Sequence, residues 1–495
     1  MSPAIRRGAA ALALLIVAGT VVALLAARHG NQSRAGDPAP SRVATIGVIA
    51  PLSGEGSDAG QGVRKAVQLA VEQANESGAL GPGWKLKLET TDDGSRPDGG
   101  AQAAQQLATN QTLIGVVGPL SSTVARVAVP TLSAGGIAVI SPSNGDSTLT
   151  GAPTGMTGAA ATGSAAAGSA AAGSAAAGSA RTRPYRTYFR LSGTDVDEAV
   201  GSADYAVRTA RRRRIAIVES SDGYGSTLPD SFATEAERLG ATITGRFPLP
   251  AGASGSMRAD LIKTLRAGRP DLVYVTTGAD VAADVRTALR ETEPRLAVMG
   301  ADSLLSRDYA KSAGTAADGD LVADLGAPSS KLPSAAPFVA AYEQRWSGGA
   351  ATATPSAVPD GDSGVPTASG APADPPTSGS SAESDPASAS ASASSSASPR
   401  STPSPDVTPE PPVAAAYAYD AARVLISSAA GALVGHPAVD AAARAGVVDR
   451  VGRVSLPGAT GRIAFDRFGD AVSADVTMYR IRNGIFVPVA VTSFR

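Results

Sequence analysis

From Val43 the chain alternates β-branched runs with amphipathic helical repeats, and this alternation constrains the fold more than any other feature. "RVATIGVIA" is strand-like in its Val, Ile and Thr content, "GVRKAVQLAVEQANESG" carries apolar residues at helical spacing and stops at Gly78, and "WKLKLETTDD" returns to strand patterning. The series continues with the helix "DGGAQAAQQLAT", the strand "LIGVVG", the helix "STVARVAVPTLSAGG" and the strand "IAVISPS". A second series, starting at Tyr188, takes in "RRIAIVES", "STLPDSFATEAERLG", "ATITGRFPL", "SMRADLIKTLRAG", "PDLVYVTT", "ADVAADVRTALRET" and "RLAVMGA", strand and helix in turn. Strands joined through helices form parallel sheets covered on both faces, so the pattern predicts two similar α/β lobes in tandem.

Two stretches break the alternation. Residues 151–183 include the repeat "GSAAAGSAAAGSAAAGSA", and residues 349–411 are dominated by Ser, Ala and Pro. Neither carries enough apolar surface to offset the entropy of ordering it, so both are expected to be disordered insertions. The second reads as a loop expansion or an extended Pro-rich spacer. "FVAAYEQRW" before it and "VAAAYAYDAARVLISSAA" after it read as neighbouring helices, and a closing block, "GRIAFDRFGDAVSADVTMYRIRNGIFVPVAV", as short strands with turns at Phe468-Gly469-Asp470 and Asn483-Gly484.

Residues 1–42 form a separate segment. Arg6 and Arg7 precede an uncharged stretch from Gly8 to Ala27, long enough to span a bilayer as a helix, which about 18 residues can do. An N-terminal hydrophobic helix that anchors the chain is expected; a cleaved signal peptide, using the small-x-small site Ser33-Arg34-Ala35, is the alternative. Either places the body of the protein outside the cytoplasm.

Lys and Arg (43) nearly cancel Asp and Glu (44) over 495 residues, so no global field draws the chain to nucleic acid. With no cysteine, disulfides, thiolate metal sites and a cysteine nucleophile are excluded. The two histidines, His29 and His436, lie far apart, and no metal constellation or cofactor motif stands out. "RRRR" at 211–214 reads as a solvated edge, with anionic lipid a second reading.

Candidate site residues cluster where strands end. "APLSGEGSDAGQG" follows the first strand with Gly54, Gly56 and Gly60, one residue too many for the dinucleotide pattern even with Asp92 at the end of the next strand. It reads instead as a glycine loop lining a cleft, with Ser53 in it. In "VVGPLSS", Ser121 and Ser122 precede a helix. A hydrolytic role needs a base that the two distant histidines do not supply, and no G-x-S-x-G elbow is present. A helix cap and an anion site at the helix N-terminus remain, and both use the same geometry. In "SSDGYGS", Tyr224 is either packed or placed to cover a ligand; in "VMGADSL", Asp302 is either a turn-capping aspartate or a carboxylate facing a cleft.

Taken in order, "IGVIAPLSG", "AVQLAVEQANESGAL", "DDGSRP", "VVGPLSS", "VISPS", "FRLSGTD", "DGYGST", "PDLVYV", "GATGRIAFDRFGD" and "YRIRNGIFVPV" resemble the branched-chain amino acid (Leu/Ile/Val) binding proteins of ABC importers, which are type I periplasmic binding proteins. The resemblance covers Val43 to Val491 apart from the insertions. It implies two Rossmann-like lobes joined by three crossovers, closing on a ligand and presenting the closed form to a membrane permease. It further implies that Ser121 or Ser122, helped by the segment from Ser143 and Asn144 to Asp146, holds the ligand carboxylate, that Asp302 pairs the ammonium, and that Tyr224 covers the ligand. The side-chain pocket departs from that family. Aromatic positions fall at Ala59 and at Gly278 or Ala279, and each lost ring removes about 1.5 to 3 kcal/mol of apolar burial, so Leu, Ile or Val is not to be assumed as the ligand. Asp302 is one methylene shorter than the glutamate usual there.

The expectation is therefore a non-enzymatic, extracytoplasmic solute-binding protein that takes an amino acid or similar small amphoteric solute and needs no metal or cofactor. A membrane-tethered sensor using the same closure is the alternative, and a hydrolase a weaker third. The first lobe is expected over 43–150 and 324–468, the second over 184–323 and 469–495.

Overall fold

The computed structural model describes residues 42–54, 56–151, 182–221, 227–347 and 411–494. The N-terminal apolar stretch, nearly all of both insertions and Tyr224 lie outside the described residues. Among the described residues no helix is long and apolar enough to cross a membrane. One compact unit comprises Met1–Tyr342 and Glu410–Arg495; the other, Glu343–Pro409, is described only for the last turn of a helix at Ala336–Ser347.

The first sheet has the order β2-β1-β3-β4-β5, from strands β1 Arg42–Ala50, β2 Trp84–Asp92, β3 Leu113–Val117, β4 Ala138–Ser141 and β5 Tyr188–Arg190, all parallel. Its strands β3 to β5 are buried along their whole length, as parallel strands sandwiched between helices must be. Helices α1 Ser57–Ser77, α2 Pro97–Thr109 and α3 Ser122–Ala134 connect the first strands. The sequence pattern places Tyr188 at the start of the second series. Instead β5 is the edge of the first sheet, and residues 184–190 belong to that layer. Its three residues are too short to show a period, and only pairing with β4 reveals the membership.

The chain then passes to the second sheet through Leu191–Thr194. Helix α4, Asp195–Asp204, opens with a capping box: Thr194 Oγ1 accepts from the Asp197 amide and Asp197 Oδ2 from the Thr194 amide. The second sheet has the order β14-β13-β10-β9-β8-β6-β7. Its strands are β6 Arg214–Ser220, β7 Thr242–Leu249, β8 Leu272–Thr276, β9 Ala297–Gly300, β10 Leu321–Leu325, β13 Ala474–Arg482 and β14 Ile485–Phe494. Helices α5 Leu228–Arg238, α6 Gly255–Ala267, α7 Ala279–Thr292 and α8 Arg307–Ala313 cover it. After β10 the chain leaves this sheet, passes helix α9 Ala336–Ser347, and re-enters the first layer with α10 Val413–Ala432 and α11 Ala441–Val451. Leu425 of α10 lies directly against Gly115 of β3, where an added Cβ would stand 2.5 Å from its Cδ2.

A small hairpin, β11 Ser455–Gly458 with β12 Gly461–Ala464, precedes a third crossing into β13. The β13–β14 hairpin turns at Asn483 (φ 52°) and Gly484 (φ 74°), the left-handed pair that a tight hairpin demands. Three crossings thus join the two sheets, and the carboxyl ends of their parallel strands carry the loops of interest.

Candidate ligand-binding cleft

On the first-sheet side, the loop after β1 is held by its glycines. Gly54 and Gly56 have φ of 69° and 76°, and a Cβ on Gly60 would lie 1.8 Å from the Pro51 carbonyl oxygen, so α1 seats directly on the loop. Ser53 donates to Asp92 Oδ2 at 2.5 Å, while Asp92 Oδ1 accepts from the amides of Leu52 and Gly94. Asp92 therefore organises its own loop.

After β3, Gly118 takes φ 108°, and a Cβ there would stand 2.1 Å from the Ile49 carbonyl oxygen. This glycine lets the chain turn into Ser121, whose extended backbone makes it the N-cap of α3; its Oγ accepts from the Val124 amide at 3.4 Å. Ser122 Oγ accepts from Asn144 Nδ2 at 3.4 Å, and Ser143 Oγ donates to the Leu120 carbonyl at 3.4 Å. Asn144 is buried, with Oδ1 accepting from the Asp146 amide and the Tyr188 hydroxyl, so much of its bonding capacity holds the loop rather than a ligand.

Beneath this loop lies Arg190, which sequence reading did not single out. It is fully buried, donating to Asp470 Oδ1 at 2.7 Å, to the carbonyls of Asn144 and Asp146, and to Thr150 Oγ1. Every nitrogen of the guanidinium is used, which is what makes a buried arginine tolerable. Arg126 on α3 pairs Asp146 Oδ2 at 2.6 Å.

On the second-sheet side, Asp302 begins a helical turn just after β9, is half-buried, and donates its amide to Glu198 Oε1 at 2.9 Å. Glu198 and Asp195 both lie on α4, and Asp324 lies on β10 next to β9. Burial pushes the Asp195 carboxyl up to about 7; Asp302 and Asp146 push the same way, opposed by Arg190 and Arg126. Burial, reinforced by Asp302 and Asp195, holds Glu198 well above the usual carboxylate range, and burial beside Asp302 does the same to Asp324. Burial also raises Asp302. Because Asp195 feels Asp146 and Arg126 of the first lobe together with Asp302 of the second, it stands where the two sides converge.

Glu198 is fully buried, and its Oε2 has no hydrogen-bond partner. The buried hydroxyls of Ser202 on α4 and Tyr274 on β8 pair with each other, and that of Thr276 has no partner. Gly278 caps α7, and the half-buried Ala59 lies in the first turn of α1. At the rim, Arg307 of α8 reaches Asp58 of α1.

Two sequence features lie elsewhere. His436 Nδ1 is 3.2 Å from Asp440 Oδ2 in the connection between α10 and α11, engaged in a turn. Within "RRRR", Arg213 and Arg214 donate to the carbonyls of Leu239, Gly268 and Arg269, tying helix ends to β6. Asp195, Glu198 and Asp324 escaped the sequence reading. The signal for the first two was the capping box Thr194-x-x-Asp197, which begins inside "FRLSGTD" and ends two residues beyond it.

The sequence matches a family model described as periplasmic binding protein over residues 43–361. It is 25% identical over 277 residues to the Leu/Ile/Val-binding protein homolog 3 of Brucella melitensis, covering 56% of this chain and 66% of that protein. It is 23% identical over 269 residues to an amino acid binding protein of Pseudomonas aeruginosa, covering 54% and 63%. The matched part thus falls just short of two thirds of these relatives' length. Among solved structures, a leucine binding protein of Thermotoga maritima superposes with a TM-score of 0.62 at 16% identity, covering 90% of this chain and 98% of that one. A solute binding protein of an ABC transporter from R. palustris, in complex with benzoate, gives 0.58 at 15% identity, covering 91% and 96%.

Proposed function

The chain belongs to the periplasmic binding protein family, and on that premise we propose that it captures a small amine-bearing solute between its two lobes and hands it to an ABC importer. The observation that carries this reading is the pairing of unlike groups across one cleft. On the first side stands a helix N-terminus capped by Ser121, with Ser122 beside it. Opposite it we place Asp302 and Glu198, with Asp195 influenced by charges of both sides. A helix N-terminus favours a carboxylate, and a buried carboxylate cluster favours an ammonium. The similar proteins, among them a leucine binding protein and a solute binding protein in complex with benzoate, support a small organic ligand.

The lobes close by bending at the three crossings, and binding rather than chemistry is the outcome. Tyr224 fits the role of a cover from the second lobe, and Ser143 that of a further contact at the carboxylate end. The family is extracytoplasmic, and the apolar run Gly8–Ala27 with Arg6 and Arg7 suits export or tethering. A thermal-shift screen over amino acids, amines, amides and small carboxylates tests the reading. A true ligand at about a hundred times its Kd adds about 2.7 kcal/mol, and the absence of any shift across the panel removes it. Asp302→Ala should weaken an amine-bearing ligand; unchanged affinity would take Asp302 out of the site.

A further inference from the structure

A single α-ammonium needs one carboxylate, yet four acids gather at the second-lobe side of the cleft: Asp195, Glu198, Asp302 and Asp324. Among the described residues no ion pair joins any of them to Lys, Arg or His. The two cations closest in influence are already engaged, Arg126 with Asp146 at 2.6 Å and Arg190 with Asp470 at 2.7 Å.

A second, separate observation points to a missing donor. Glu198 Oε2 is buried without a partner, and so is the hydroxyl of Thr276 at the end of β8, the strand beside β9. Buried polar atoms are normally paired, and both of these oxygens can accept from an N–H group. A metal ion does not suit the arrangement: among the described residues no three acidic or histidine side chains converge as ligands. Gly278 and Ala279 leave the wall beside Thr277 without a ring, and Thr277 itself is tied to Asp302's neighbour through Ser303 Oγ at 2.9 Å.

We propose that the solute is a small aliphatic molecule with at least two protonated amines, held among Asp302, Glu198, Asp195 and Asp324. The inference rests on the solute-capture reading above and narrows it. The same chemistry occurs in basic amino acids and in free polyamines, which differ in whether a carboxylate also reaches Ser121 and Ser122.

Isothermal titration of the full chain with L-lysine, L-ornithine, L-arginine, cadaverine and spermidine, against L-norleucine and L-leucine, tests it. At least one polyamine or basic amino acid should bind about tenfold or more tighter than norleucine. Lysine ahead of cadaverine marks the amino acid as the source, and cadaverine or spermidine ahead of lysine marks the free polyamine. Asp324→Asn, near-isosteric and checked by its ligand-free melting curve, should weaken the best polycation about tenfold while moving norleucine far less; Glu198→Gln provides the same readout. Norleucine or leucine binding as tightly as every polycation overturns the inference and leaves solute capture standing. Polycation affinity unchanged in both variants overturns it as well. No heat or melting shift with any of these solutes, or with amides and carboxylates, removes both.

Discussion

Arg307 Nη1 lies 2.9 Å from Asp58 Oδ2, joining the start of α8 in the second lobe to the first turn of α1 in the first across the rim of the cleft. Both side chains are largely exposed, 86% and 66%, so the pair is a weak, salt-sensitive latch. Asp58→Asn should speed ligand release in stopped-flow by no more than about fivefold at low salt. The difference should vanish at high salt; one that persists would mean the residue acts otherwise.

Arg190 and Asp470 form a wholly buried pair. Removing one partner strands the other, which costs about 3 to 5 kcal/mol. Asp470→Ala should lower stability in urea denaturation by about that amount. Arg190→Lys should recover little, because an ammonium cannot reach Asp470, Asn144, Asp146 and Thr150 together.

The acid cluster makes the ligand-free protein lose stability as pH rises. Asp195 titrates from an ordinary value of 3.8 when unfolded to about 7 when folded, so between these values the folded state binds more protons. The contribution is fully present below about 4 and gone once the pH has passed about 7. Glu198, Asp302 and Asp324 shift the same way. Melting curves from pH 5 to 8, approximately the range over which proteins are usually most stable, should fall less steeply for Asp195→Asn; an unchanged slope would show that Asp195 is not buried as a neutral acid. A cationic ligand should reverse the trend, binding more tightly as pH rises and releasing protons into the buffer.

Gly118→Ala should be severe. Its φ of 108° disfavours any side chain, and the new Cβ would lie 2.1 Å from the Ile49 carbonyl oxygen. A loss of about 2 kcal/mol or more is expected, together with weaker ligand binding because the Ser121 cap moves. A near-native melting temperature would contradict the fit of this turn.

Much of the architecture was legible because buried parallel strands and amphipathic helices leave opposite periods in the sequence. The Ser121 cap and the turn at Asn483-Gly484 were readable for the same reason: each needs a local residue type. What escaped was non-local. Arg190 pairs a residue 280 positions away, and nothing in "YFR" announces it. Asp195 and Glu198 lie on a helix of ten residues, "DVDEAVGSAD", whose apolar periodicity is too weak to recognise beside its capping box. Asp324 sits in a five-residue strand, "LVADL", that shows its role only when β9 brings Asp302 alongside.

The crossings also set an order of assembly. Leu425 of α10 closes over β3, and β13 completes the second sheet against β10, yet both are made long after the strands they cover. Neither layer can therefore complete its core until these later segments have been made. Discontinuous lobes of this kind act as a timer, tying the completion of each core to the last segments of the chain.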